Sequence, residues 1–121
     1  MWILFFFLQI LLTSCGPSCP EDYKELGKQK TRRLIVELQK IQNRDQLIDA
    51  ESTLIGCYKD IAELMTAVEK YYKAHPNELS LELTNQDHEL SDKLRLEILR
   101  ICRFDGGQEI IDNIRIKANL N

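Results

Sequence analysis

The sequence predicts an all-α protein: an antiparallel bundle of three long helices plus a short C-terminal helix, after a cleaved N-terminal signal peptide. Three observations carry this expectation. Apolar residues recur at steps of three and four through most of the chain after residue 20. Turn signals at Asn43-Arg44-Asp45, between His75 and Gln86, and at Gly106-Gly107 cut that pattern into segments of helical length. The run Trp2 to Leu12, in which Gln9 is the only polar residue, stands apart from everything behind it.

That leading run has eleven residues, about half of the ~20 that a membrane-crossing helix needs. Small residues follow at Thr13, Ser14, Cys15 and Gly16, and Pro17 stops any helix. An apolar core of roughly 7–15 residues ahead of small residues is the layout of a secretory signal peptide. The expected organisation is therefore a signal peptide at 1–14, a tether at 15–19 and a helical bundle domain at 20–121. Removing residues 1–14 leaves 107 of the 121 residues, one domain able to bury roughly 60–65% of its unfolded surface.

Helix one is expected at about 20–42. Ser18 or Cys19 stands at its cap, Pro20 in its first turn, and Glu21 and Asp22 near its positive end. Its apolar face is Tyr23, Leu26, Leu34, Ile35, Leu38 and Ile41. Asn43 can cap helix two, which runs to about Ala74 before Pro76. Here Leu47, Ala50, Leu54, Cys57, Ile61, Leu64, Val68 and Tyr71 form an unbroken heptad seam. Ile48, Ile55, Tyr58, Met65 and Tyr72 widen it, which implies a helix packed against two neighbours.

Leu79, Leu81 and Leu83 alternate with polar residues in the following stretch. A lone strand has no partner, so an ordered loop lying on the bundle is expected. Asn85 or Asp87 starts helix three, whose face is Leu90, Leu94, Ile98, Ile101 and Cys102, flanked by Leu96 and Leu99. Gly106-Gly107 stops it. Helix four runs from Gln108 to about Ala118, packing through Ile110, Ile111, Ile114 and Ile116.

The net charge of −3 argues against nucleic-acid binding, which expects a basic domain. No serine stands in a Gly-x-Ser-x-Gly setting and no Gly-rich phosphate loop occurs. His75 and His88, the two histidines, flank one loop with Glu78, Asp87 and Glu89 nearby, but a 13-residue spacing across a loop is unspecific for a metal or acid–base site. No catalytic residue, metal or cofactor is expected. A basic run, Lys24, Lys28, Lys30, Arg32 and Arg33, follows the tether closely. It offers contacts to anionic head groups or a polyanionic polymer, or else an ordinary solvated helix face partly paired with Glu21, Glu25 and Glu37.

The cysteines are Cys15, Cys19, Cys57 and Cys102. Cys57 and Cys102 both fall on apolar helix faces. Their midpoint lies between residues 79 and 80, at the centre of the loop joining helices two and three. In an antiparallel hairpin they would stand at one height, positioned for a disulfide that closes about 46 residues and adds about 4 kcal/mol. The other reading is two buried free thiols acting as small hydrophobes. Cys19 is left without a role.

Leu12-Thr13-Ser14-Cys15 resembles the lipobox of bacterial lipoprotein precursors: an aliphatic residue, two small ones, then the modified cysteine. The resemblance implies that Leu12, Thr13 and Ser14 are the signal peptidase recognition residues and that the cut precedes Cys15. It further implies that Cys15 carries diacylglycerol and often an N-acyl chain such as palmitate. The expected function is a small membrane-anchored lipoprotein of the bacterial cell envelope, a helical binding or structural accessory and not an enzyme. It would sit on the cell membrane or outer membrane, facing the periplasm or exterior, with a protein partner there. The alternative is a secreted, disulfide-stapled helical signalling protein of short-chain cytokine type. The absence of Lys and Arg before Lys24 and the even cysteine count suit that alternative.

Overall fold

A computed structural model describes residues 19–78 and 83–119. Among the described residues the chain is all-helical, with five helices and no strand: α1 (Pro20–Gln39), α2 (Arg44–Asp49), α3 (Glu51–Ala74), α4 (Asn85–Cys102) and α5 (Gly107–Asn119).

The helix ends follow local chemistry. Cys19 is the extended N-cap of α1, with Pro20 in the first turn and Glu21 and Asp22 against the positive end. Asn43 caps α2, its Oδ1 accepting from the Gln46 N–H at 2.9 Å. Thr84 caps α4 through a reciprocal pair: Thr84 Oγ1 accepts from the Asp87 N–H, and the Asp87 carboxylate accepts from the Thr84 N–H at 2.7 Å. Gly106 adopts φ 71°, the left-handed turn that separates α4 from α5.

The expected single helix from Asn43 to Ala74 is two helices meeting at Ala50 (φ −87°, ψ 0°). Nothing in the residue type announces this break, since alanine is the best helix former. The hydrogen bonds on either side persist: Ala50 N–H donates to Gln46 O, and Ala50 O accepts from Leu54. The apolar seam therefore turns the corner with Leu47 and Leu54 both fully buried. The turn lets short α2 reach α5 as well as α3.

Contacting pairs fix the directions of the long helices. Tyr23 meets Tyr71, Gly27 lies against Leu64, and Arg33 pairs with Asp60. Position advances along α1 as it recedes along α3, so these two run antiparallel. Lys24 pairs with Asp87, and Arg100 reaches Leu38 O, so α1 and α4 run parallel. α1 packs on both α3 and α4, and α5 also packs on both, whereas α3 and α4 make no extended contact with each other.

The core lies toward one end. Leu34, Leu38 and Ile41 meet Leu47, Leu54, Cys57, Ile101, Ile111 and Ile114 there. Arg100 closes the exposed side of this cluster. Its guanidinium donates to Ile41 O at 2.8 Å and Leu38 O at 2.9 Å, carbonyls just past and within the last turn of α1, where a cation is also favoured by the helix dipole. Glu97 holds the same group from below.

Candidate functional site

Leu12, Thr13 and Ser14, expected to be signal peptidase recognition residues, and Cys15, expected to carry the lipid, lie outside the described residues. The described chain begins at Cys19, so the structure defines the end of the helical body at which the chain enters. No helix among the described residues is long and apolar enough to cross a membrane.

The basic run does not form one surface. Lys24 and Lys28 turn toward α4 and pair with Asp87 at 3.0 and 3.4 Å. Arg33 turns toward α3 and pairs with Asp60 at 3.1 Å. Lys30 is half-buried and Arg32 exposed. Residues four apart share a face, while Arg32 and Arg33 are about 100° apart, so one run of sequence is divided among three directions.

Asp87 is the electrostatic junction between α1 and α4. Its side chain is 8% exposed and accepts from Thr84 N–H, Thr84 Oγ1 and Lys24. The Thr84 backbone N–H first, and Lys24 next, hold its carboxyl well below the usual carboxylate range. With the folded value depressed, the stabilisation is present above the unfolded pKa near 4 and is lost as pH falls toward the folded value. An Asp87→Asn chain is expected to be less stable than the parent at neutral pH, with the gap narrowing below about pH 4. Urea midpoints across pH check this; a gap constant down to about pH 2 contradicts it.

Beside this junction, at the N-terminal end of α1 and C-terminal end of α3, lies an aromatic cluster. Tyr71 is at its centre: its ring lies 5.4 Å from Tyr23, 5.5 Å from Tyr72 and 4.3 Å from His75, the last stacked. The Tyr71 hydroxyl donates to Glu78 and His75 Nδ1 lies 2.9 Å from Tyr71 O. The Glu78 hydrogen bond, with desolvation second, pushes the Tyr71 phenol up to about 12. This stabilisation is present below the unfolded value near 10 and is lost as pH rises through the folded value. Ultraviolet titration is expected to show one phenol ionising near 12, absent in Tyr71→Phe and shifted down in Glu78→Gln. An unchanged titration curve in both variants contradicts the assignment.

Cys19, Cys57 and Cys102 are free thiols in the structure. The expected Cys57–Cys102 bridge rested on α3 and α4 facing each other as a hairpin, and the packing of α1 and α5 against both removes that premise. Cys57 is instead a buried core member, and burial pushes its thiol pKa up. Neighbouring Tyr58 packs against the core with its hydroxyl buried and without a hydrogen-bond partner among the described residues. The Arg115 guanidinium lies 5.7 Å from the Tyr58 ring centroid.

Among the described residues, no group of three or more His, Cys, Asp or Glu side chains is placed to hold a metal ion. A groove of about 320 Å³ runs between α1 and α4, lined by Gly27, Thr31, Leu83, Leu90 and Leu94 with Asp87 at its rim. The Tyr71 cluster and the Arg100 cap were not apparent in sequence. Each joins residues about fifty to sixty positions apart, and the only sequence signal for the first is the bias of tyrosine toward two short segments. No family model, curated protein or solved structure matches this chain.

Proposed function

We propose that the chain is a small lipoprotein of a bacterial cell envelope. In this reading Cys15 carries the lipid, residues 1–14 are a cleaved signal peptide, and the body is a non-catalytic helical binding or structural module. The body would be an antiparallel bundle of three long helices with a short C-terminal one, presented to a protein partner on the outer side of the membrane. The observation that carries the reading is the sequence Leu12-Thr13-Ser14-Cys15 directly behind an eleven-residue apolar run. It is supported by a folded helical body that begins at Pro20, five residues after the cysteine. Local concentration at the membrane is what a lipid anchor supplies to such a module. Stable anchoring takes more than one acyl chain, which the diacylglyceryl group provides.

The absence of Lys and Arg before Lys24 favours the second reading, a secreted helical signalling protein. Cell fractionation separates the two. The parent is expected in the membrane pellet, resistant to high salt and released by detergent, while Cys15→Ala is expected to lose membrane retention after export or to accumulate as uncleaved precursor. A parent recovered wholly in the culture medium, indistinguishable from Cys15→Ala, contradicts anchoring and supports the secreted reading.

A further inference from the structure

Three of the chain's four tyrosines, Tyr23, Tyr71 and Tyr72, meet at one end of the molecule, with His75 stacked on the central ring. This is the end at which the chain enters through Cys19. The fully buried residues lie toward the other end: in α1 from Leu34 onward, in α3 no later than Cys57, in α4 at Ile101. The three tyrosine rings are half-buried and His75 is exposed. Tyrosine has an apolar ring and a polar hydroxyl, and is enriched where a protein meets the head-group level of a bilayer.

The tether makes the position of this end a matter of length. Cys19 lies four positions after Cys15, and an extended chain spans at most about 3.6 Å per residue, so about 14 Å. A lipid on Cys15 therefore holds the tyrosine end, and not the core end, at the membrane.

We propose that Tyr23, Tyr72 and His75 form the surface on which the helical body rests against the bilayer, with Tyr71 as the ring that supports them. This rests on the anchoring proposed above, and adds which face meets the lipid. It also replaces the basic run as the contact, since Lys24, Lys28 and Arg33 are engaged with Asp87 and Asp60. Glu21, Glu25, Glu69 and Glu78 stand at the same end beside Lys70 and Lys73. That mixture selects zwitterionic head groups over strongly anionic ones.

The test uses the purified mature protein in phosphatidylcholine vesicles containing a lipid with a head-group nitroxide. The only tryptophan is Trp2, within the leader, so tyrosine emission reports position. Tyr58→Phe, which keeps the three clustered rings, is expected to lose most of its emission to the nitroxide. A triple Tyr23→Phe, Tyr71→Phe, Tyr72→Phe chain, with helicity verified by circular dichroism, retains Tyr58 and is expected to keep its emission. Equal quenching of the two, or none in protein that floats with the vesicles, overturns the proposal. Mass analysis of the same preparation decides anchoring separately. If the thiol carries no lipid, the chain beginning at Cys15 is acylated at its N-terminus by ligation with a lipid thioester, and the same pair of outcomes then decides the face.

Discussion

Replacing Gly107 by alanine is expected to open the corner between α4 and α5 and to destabilise the protein by about 3 kcal/mol, the upper end of the overpacking range. A Cβ at this position would stand 2.1 Å from Ile101 O, 3.1 Å from Ile101 C and 3.3 Å from Cys102 Cα. All three are backbone atoms, so no side-chain rotation relieves the contact, and the last turn of α4 must separate from the first turn of α5. Gly106 provides the comparison. It has φ 71°, and a Cβ there would first meet Arg44 side-chain atoms, from 3.7 Å outward. Gly106→Ala therefore meets only the left-handed backbone penalty, about 1–2 kcal/mol. Urea unfolding of the two variants should rank them in that order. A Gly107→Ala chain as stable as Gly106→Ala would show that the corner is held differently.

Ile101→Ala is expected to cost about 2–5 kcal/mol, a large share of the roughly 5–15 kcal/mol available to a domain. Ile101 is 0% exposed and belongs to the cluster that joins α1, α2, α3 and α5 to the end of α4. Its removal leaves a cavity where five elements converge, including the short α2, which has few other contacts. Leu96, on the same helix but 58% exposed, is the control; Leu96→Ala should change stability by no more than about 0.5 kcal/mol. The measurement is the urea midpoint at unchanged slope. Similar losses for both variants would place the core elsewhere.

Helical periodicity and turn chemistry made most of the fold legible. The spacing of Leu34, Ile35 and Leu38, continued just past the helix by Ile41, identified the face of α1 that is buried, and Gly106-Gly107 marked the corner. The corner itself departs from expectation in one respect: Gly107 belongs to α5, and it is needed there for close approach to Ile101. The break at Ala50 was illegible because it consists of a single ψ near 0° within a continuous heptad pattern, without any residue that disfavours helix. The heptad seam also overstated uniformity. Leu47, Leu54 and Cys57 are buried, while Ile61, Leu64 and Val68 are only half-buried.

The sites divide in the same way. The proposed lipid attachment at Cys15 rests on its immediate neighbours Leu12, Thr13 and Ser14 alone, so local sequence is enough to propose it. The Asp87 junction depends on α1 and α4 running parallel, and the Tyr71 cluster on α1 and α3 running antiparallel. Neither direction can be read from the spacing within one helix. The reasoning for Cys57 and Cys102 failed at that step: equal height along a hairpin requires that the two helices be neighbours, and α1 and α5 bridge them instead.

The proposed anchor is tested most directly by the intact mass of the protein recovered from membranes of bacterial cells expressing the full sequence. The account predicts a chain that begins at Cys15 and carries the mass of a diacylglyceryl group, with or without a further N-acyl chain. An unmodified chain, or one that begins at a residue other than Cys15, would contradict it.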